Sequence, residues 1–143
     1  MSRHNPTSLR DRCLIAAIVL AVLAAGPGLA GAGHGPFATV LTIDAESLKL
    51  LIDEGRAPLP IDLRPAAEYR TGRLPAARSI PLDEMERRLG EIPRDRMVVL
   101  YCACPVPAVT PVYQLLRRHG YADVFVLEDG LGAWRARGYP LER

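Results

Sequence analysis

The stretch Arg96-Met97-Val98-Val99-Leu100-Tyr101-Cys102 gives the strongest β-strand signal in the sequence. Its apolar residues run without a polar interruption, which is typical of a central parallel strand that is covered on both faces. A proline-rich turn follows, and then a helix that contains Val112 and Leu116 and ends at Gly120. The sequence therefore predicts a strand, a turn and a helix in succession, with Cys102 at the end of the strand.

Strand and helix signals alternate on both sides of this stretch. The other strand-like segments are 59–63, 79–81 and 123–128, and the other helical segments are 44–55, 65–72, 83–89 and a short one around Trp134. Asp44 and Asp83 are positioned to cap the first turns of their helices. Such alternation predicts an α/β domain with a mostly parallel sheet and helices on both faces. Sites in such sheets form at the carboxyl ends of strands, where Cys102 lies.

Charge is distributed unevenly along the 143 residues. The formal net charge is +2, but from Gly31 onward there are 15 basic and 15 acidic residues, and the basic excess lies in the first dozen residues. A basic groove for nucleic acid is therefore not expected. Aromatic residues make up only 6% of the chain, which also argues against a stacking platform for single strands. The length suits one domain.

The first thirty residues have the pattern of an export signal. Arg10 and Arg12 precede the apolar run 13–25, and small residues follow as far as Ala32. As a helix this run rises about 20 Å, which is short of the roughly 30 Å hydrocarbon core. We expect residues 1–32 to be a secretory signal peptide, and the alternative is an uncleaved inner-membrane anchor. Residues 33–41 are then a linker and 42–143 the domain, which would be periplasmic or secreted and would touch a membrane only through an uncleaved N-terminal segment.

Cys102 and Cys104 are the two cysteines that follow residue 32. A thiol between a strand end and a helix N-terminus has its thiolate stabilised by backbone N–H groups and by the helix dipole. Cys102 is therefore a candidate nucleophile, and the alternative is a small buried hydrophobic residue at the end of a core strand. Two cysteines that are separated by one residue close a strained ring, so we do not expect a structural disulfide.

A metal site is the competing chemistry for a Cys-x-Cys sequence. His34 lies in the predicted linker, and His119 ends a helix that points away from the cysteines. Two thiolates without further positioned ligands make a weak zinc site. We therefore expect neither a metal nor another cofactor.

Five segments occur in an order and at a spacing that are highly specific together. They are Ile61-Asp62-Leu63-Arg64-Pro65-Ala66-Ala67-Glu68-Tyr69, then Gly72-Arg73-Leu74-Pro75-Ala76-Ala77 with Ile80-Pro81, then 98–102, 115–124 and 127–140. In this order they resemble the rhodanese (sulfurtransferase) domain family, over roughly residues 42–142. The resemblance implies a parallel five-stranded sheet that is flanked by helices on both faces.

The resemblance also implies a mechanism. In the family, a cysteine thiolate attacks the outer sulfur of a donor such as thiosulfate and becomes a persulfide, and this sulfane sulfur then passes to an acceptor. Cys102 matches that cysteine, so we expect a sulfurtransferase that acts by covalent nucleophilic catalysis. Its partners would be a small sulfur donor or a protein persulfide, and a thiol acceptor.

The segment after Cys102 departs from the family pattern C-x-x-G-x-R-S/T. The active-site loop here consists of Ala103, Cys104, Pro105, Val106, Pro107, Ala108 and Val109, without the glycine or the arginine. The prolines remove N–H donors, and no cation occurs between residues 101 and 117, so an anionic donor lacks its charge partner. Three interpretations stay open. Cys102 takes sulfur from a neutral or protein persulfide, Cys104 is a second thiol that forms a labile disulfide with Cys102, or the domain only binds a partner.

Three residues are candidates for a supporting role. Asp62 and Arg64 match family positions at the base of the active site, and their spacing favours a local ion-pair and capping cluster. Arg73 stands where histidine is common in the family. It would lend positive charge to the rim of the site, and the alternative is a solvated surface arginine.

Overall fold

Strand β4, Val98–Tyr101, is the middle strand of a five-stranded sheet. The computed structural model describes residues 39–56 and 58–143. The predicted signal peptide and residues 33–38 of the predicted linker lie outside the described residues. Within the described part, no helix is long and apolar enough to cross a membrane.

Strands and helices alternate along the chain. The other strands are β1 (Thr42–Ile43), β2 (Leu59–Asp62), β3 (Arg78–Ser79) and β5 (Val124–Leu127). The helices are α1 (Ala45–Asp53), α2 (Ala66–Tyr69), α3 (Met85–Arg88), α4 (Val106–Arg118) and α5 (Gly130–Ala136). Short 3-10 helices at Leu82–Glu84 and Leu89–Glu91 flank α3.

The strand order in the sheet is β1-β5-β4-β2-β3, and every pairing is parallel. Asp62 of β2 is aligned with Tyr101 of β4, and Leu100 of β4 is aligned with Val126 of β5. This confirms the predicted α/β domain with a five-stranded parallel sheet. The carboxyl ends of β2, β4 and β5 therefore meet at one edge of the sheet, next to Cys102.

A hydrophobic core lies on each face of the sheet. In the first core, Leu100 of β4 clusters with Leu116 of α4. In the second core, Val99 of β4 clusters with Leu48 of α1 and Trp134 of α5. Consecutive residues of β4 therefore enter different cores, and this is why the strand carries no polar alternation.

Helix α1 begins as the sequence predicts. The carboxylate of Asp44 accepts hydrogen bonds from the backbone N–H groups of Glu46 and Ser47, at 2.9 and 2.8 Å. These bonds satisfy two of the amide groups that the first turn of a helix leaves without partners. They also lower the pKa of Asp44, with the bond from Ser47 contributing most.

The predicted cap at Asp83 is wrong. Asp83 lies inside the 3-10 helix Leu82–Glu84, and α3 begins after it without a side-chain cap. The carbonyl of Pro81 accepts a hydrogen bond from the Glu84 amide at 2.9 Å, so the chain turns before Asp83 can act as a cap.

The chain joins the sheet slightly before β1. The carbonyl of Leu41 accepts a hydrogen bond from the Val126 amide at 2.9 Å. The hydroxyl of Tyr113 donates to the carbonyl of Thr39 at 3.4 Å. Residues 39–41, which the sequence assigns to the linker, are thus held against β5 and α4.

Candidate active site

Cys102 is the first residue after β4, and hydrogen bonds to its own carbonyl and to the carbonyl of Tyr101 fix the backbone there. Its carbonyl accepts from the Leu131 amide of α5 at 3.0 Å, and the carbonyl of Tyr101 accepts from the Leu63 amide at 2.9 Å. The Cys102 side chain is partly buried and packs against the first core. The backbone of this cysteine is therefore held in place while its side chain keeps some exposure to solvent.

Gly130 makes room for the Cys102 carbonyl. It has φ +54°, and a Cβ atom placed on it would lie 2.2 Å from the carbonyl oxygen of Cys102. Any other residue would collide with that oxygen, so only glycine allows this approach. The sequence signals a turn at Asp129-Gly130, but it does not show that the turn lies against Cys102.

A disulfide bond joins Cys104 to Cys102. Their Cα atoms are 5.2 Å apart, within the usual range for disulfides, and Cys104 packs against the first core beside Cys102. The spacing of the two cysteines argued against a structural disulfide, and the structure shows them bonded to each other. The turn between β4 and α4 brings the two side chains together, and spacing alone does not reveal this geometry. The second of the three interpretations of the loop requires this pairing.

The turn between β4 and α4 leaves three amide groups available. Pro105 precedes α4 and Pro107 lies in its first turn, and neither has an N–H group. The amides of Ala103, Cys104 and Val106 donate no hydrogen bond to another residue in the described part of the chain. Amide groups of this kind stabilise a sulfur anion.

The second half of the predicted loop is helical. Residues 106–109 form the first turn of α4, and the Ala108 amide donates to the carbonyl of Pro105 at 2.9 Å. Val109 is buried in the first core. Proline at 107 suits this position, because the first amides of a helix have no acceptor within it. The non-helical part of the loop therefore ends at Pro105.

Cationic side chains on α4 lie far from the cysteines. Arg117 and Arg118 are at the C-terminal end of α4. The helical rise places them about 16–18 Å from Val106 along the axis. A sulfur anion at Cys102 therefore receives no help from these two arginines, and it lies at the N-terminal end of α4, where the helix dipole favours negative charge.

Asp62, Arg64 and Tyr101 form a buried polar cluster at the ends of β2 and β4. Asp62 is 0% exposed and Arg64 is 4% exposed. The Asp62 carboxylate accepts from Arg64 Nε at 2.9 Å, from Arg64 Nη2 at 2.5 Å and from the Tyr101 hydroxyl at 2.7 Å. Arg64 also donates to the carbonyl of Gly72, and the Tyr101 hydroxyl accepts from the Leu74 amide. All buried side-chain polar atoms in the described residues have partners.

The charges of this cluster are balanced internally. Burial opposes the charged form of Arg64, but the hydrogen bonds and the charge of Asp62 outweigh it and raise the pKa of Arg64. Burial, followed by the hydrogen bond to Asp62, raises the pKa of Tyr101 far above its ordinary value. Tyr101 therefore stays protonated and donates to Asp62, and Arg64 supplies the balancing charge.

The cluster lies on the face of the sheet opposite to Cys102. Tyr101 belongs to the second core, whereas Cys102 packs against the first, as expected for consecutive residues of a strand. Asp62 therefore reaches the end of β4 through the hydroxyl of Tyr101, one residue before Cys102, and no hydrogen bond among the described residues joins Asp62 or Arg64 to the sulfur. Tyr101 is a partner of this pair that the sequence did not lead us to predict. The available signal is a hydroxyl in an otherwise apolar strand, since a buried tyrosine hydroxyl requires a hydrogen-bond partner.

Arg73 contacts the C-terminal segment of the chain. Its backbone forms an antiparallel bridge with Glu142, with N–H to carbonyl distances of 3.0 Å in both directions. Its Nε atom lies 3.7 Å from the Glu142 carboxylate, and its guanidinium lies 4.7 Å from the centre of the Tyr69 ring. These contacts place its charge against Glu142 and the ring of Tyr69.

Among the residues that the structure describes, metal ligands do not gather around the cysteine pair. Among residues 39–56 and 58–143, no group of three or more His, Cys, Asp or Glu side chains is placed to hold a metal ion. His119 follows α4 at the end remote from the cysteines.

The family model of the rhodanese-like domain matches residues 44–137, from the cap of α1 to the residue after α5. This chain belongs to the rhodanese-like domain family. A sulfurtransferase of Allochromatium vinosum is 34% identical to it over 99 residues, which are 69% of this chain and 92% of the relative. The resemblance inferred from the five segments is thus confirmed at the level of the family.

This chain is similar to parts of proteins of different kinds. A thiosulfate sulfurtransferase of Pseudomonas aeruginosa has a TM-score of 0.63 and 29% identity, over 73% of this chain and 20% of that chain. A rhodanese-like domain of an Anabaena protein has a TM-score of 0.64 and 27% identity, over 73% of this chain and 80% of that chain. An HTH-type transcriptional regulator of Mycobacterium tuberculosis is 35% identical over 82 residues, which are 57% of this chain and 36% of the regulator.

Proposed function

We propose that Cys102 carries sulfane sulfur as a persulfide and passes it to a thiol acceptor, so that the protein acts as a sulfurtransferase. The observation that carries the proposal is the position of Cys102 in a rhodanese-like domain. It follows the central strand, precedes the N-terminus of α4 and keeps part of its surface exposed. The sulfurtransferase among the relatives supports the same chemistry.

The reaction starts from the reduced pair of thiols and consists of two displacements. The Cys102 thiolate attacks the outer sulfur of the donor, a sulfur–sulfur bond forms, and the donor's own sulfur–sulfur bond breaks. The electron pair of the broken bond leaves with the inner sulfur, as sulfite from thiosulfate or as a thiolate from a persulfide. The acceptor thiolate then attacks the outer sulfur of the Cys102 persulfide, and the Cys102 thiolate is regenerated.

The charges of the site favour a persulfide donor over thiosulfate. The three amides without a hydrogen-bond acceptor and the dipole of α4 are available to one sulfur anion, but the turn has no side-chain cation for a second negative group. Charge-assisted hydrogen bonds to an anionic donor are therefore missing. We infer that a low-molecular-weight persulfide or a protein persulfide is the donor.

Mass spectrometry of the full chain tests the proposal. Cys13, outside the described residues, is replaced by Ser in every protein, and each protein is reduced and incubated without oxygen. Glutathione persulfide is expected to add one sulfur atom to Cys102 in the Cys104→Ser variant and none to the Cys102→Ser variant. Thiosulfate is expected to label more slowly.

Two outcomes would contradict the proposal in different ways. Label on Cys104 in the Cys102→Ser variant, at the rate seen for Cys102, would show that the nucleophile is assigned wrongly. No label on any variant that keeps its helical circular dichroism would leave a rhodanese-like domain that binds a partner without sulfur chemistry.

We also propose that the domain works outside the cytoplasm. The pattern of residues 10–32 supports export, and a disulfide such as Cys102–Cys104 persists most readily in an oxidising compartment. Cell fractionation and N-terminal sequencing of the exported protein test this. A new N-terminus near Ala30 or Ala32 is expected, and an intact protein in the cytoplasmic fraction would refute it.

A further inference from the structure

We propose that Cys104 discharges the Cys102 persulfide, so that the protein also releases sulfane sulfur as hydrosulfide and ends the cycle as the Cys102–Cys104 disulfide. This inference rests on the proposed persulfide of Cys102 and adds a second, reductive outcome for the same sulfur. The observation that carries it is the bond between the two sulfur atoms. A thiol in that position is within reach of the inner sulfur of a persulfide on Cys102.

The fold holds both cysteines from the outer ends of the turn. The hydrogen bond from Leu131 and the close approach of Gly130 fix Cys102. Pro105 leads directly from Cys104 into α4, and Val109 anchors the first turn of α4 in the first core. Cys104 therefore acts on the persulfide as an intramolecular nucleophile, and such a group reacts at a far higher effective concentration than a dissolved thiol.

The discharge step balances in atoms and electrons. The Cys104 thiolate attacks Sγ of Cys102, and a bond forms between the two cysteine sulfurs. The bond between Cys102 Sγ and the sulfane sulfur breaks, and the sulfane sulfur leaves with the electron pair as hydrosulfide, which keeps the persulfide proton or takes one from solvent. The sulfane sulfur is reduced and the two cysteines are oxidised.

An external dithiol completes the cycle. One of its thiolates attacks the Cys102–Cys104 disulfide, the mixed disulfide resolves, and the dithiol leaves as its own disulfide. The protein returns to the two free thiols. The net reaction consumes a sulfane sulfur and a dithiol, and it produces hydrosulfide and an oxidised dithiol.

A single-turnover experiment separates this inference from the sulfurtransferase proposal. The reduced Cys13→Ser protein, without oxygen, receives one equivalent of glutathione persulfide and is passed over a desalting column. Hydrosulfide is measured with a sulfide electrode, and cysteine states are determined by peptide mass spectrometry. Cys104→Ser and Cys104→Ala variants are treated in parallel, and a reduced sample without donor shows whether the disulfide forms by another route.

We expect the protein that retains both cysteines to release hydrosulfide and to form the Cys102–Cys104 disulfide. The two Cys104 variants should retain the persulfide on Cys102, and their rate of hydrosulfide release should be lower by about tenfold or more. If the protein with both cysteines keeps a persulfide on Cys102 beside a free Cys104, or if all proteins release hydrosulfide equally fast, the inference is overturned and the sulfurtransferase proposal stands. If the Cys104 variants never take up sulfur, the sulfurtransferase proposal itself fails.

Discussion

The hydroxyl of Tyr101 donates to the carboxylate of Asp62 at 2.7 Å, although 39 residues separate them in sequence. The same hydroxyl accepts a hydrogen bond from the Leu74 amide at 3.2 Å. We expect Tyr101→Phe to lower the free energy of unfolding by about 1–3 kcal/mol, because both partners are then buried without this hydrogen bond. Urea denaturation measures the change. Tyr139→Phe is the control, since its hydroxyl makes no hydrogen bond among the described residues, and equal losses in the two variants would contradict this account.

The raised pKa of Tyr101 predicts a pH dependence of stability. In the unfolded chain this tyrosine ionises near 10.0, whereas in the folded protein it stays protonated to higher pH. Above pH 10 the unfolded state therefore binds fewer protons than the folded state, and stability falls as pH rises. We expect the native sequence to exceed Tyr101→Phe in free energy of unfolding by its full amount below pH 10. Above pH 10 this difference should shrink. Denaturation curves at pH 8, 9, 10 and 11 check this, and a constant difference across them would count against it.

The ion pair of Asp62 and Arg64 predicts a large cost for Asp62→Asn. The substitution leaves the buried guanidinium without its counter-charge, and breaking a buried pair in this way costs about 3–5 kcal/mol. Glu68→Gln is the matched control. Its carboxylate lies 3.9 Å from Arg64 and is half exposed, so its loss should cost less than about 1 kcal/mol. Thermal denaturation compares the two, and similar losses would show that the Asp62 pair is not the dominant contact of Arg64.

The contact between Gly130 and Cys102 predicts different effects for two glycines of α5. Gly130→Ala should lower the unfolding free energy and slow persulfide formation, because its Cβ would lie 2.2 Å from the Cys102 carbonyl oxygen. Gly132→Ala, in the same helix, places its Cβ in open space and should leave activity unchanged and stabilise the helix by roughly 0.5–1 kcal/mol. Thermal denaturation and persulfide labelling of both variants test this. Unchanged labelling in Gly130→Ala would mean that Cys102 reacts equally well after its carbonyl is displaced by the new Cβ atom.

Local sequence signals predicted the parts of the fold that depend on neighbouring residues. The apolar run that ends at Cys102 predicted the central strand, and Asp44 predicted the start of α1. The cap predicted at Asp83 failed, because a proline two residues earlier had already turned the chain. Propensity describes each segment separately, whereas the position of a cap depends on where the preceding turn begins.

Contacts in the site that join distant segments could not be predicted in the same way. The sequence places Asp62 beside Arg64, and the hydroxyl of Tyr101 signals only that it needs a partner, not that this partner is Asp62 on another strand. The disulfide depends on backbone angles within the turn, which the spacing of Cys102 and Cys104 does not determine. Gly130 is recognisable as a turn residue, and its contact with Cys102 follows only from the packing of α5 against the end of β4.

Tyr101 and Cys102 are consecutive at the end of β4, but their side chains pack on opposite faces of the sheet. The buried polar cluster therefore lies on one face and the candidate nucleophile on the other. We expect substitutions within residues 103–105 to leave the cluster of Asp62, Arg64 and Tyr101 in place, because Tyr101 packs in the second core and the turn packs against the first. The same fold can therefore carry different sequences in the turn between β4 and α4, each suited to a different sulfur compound.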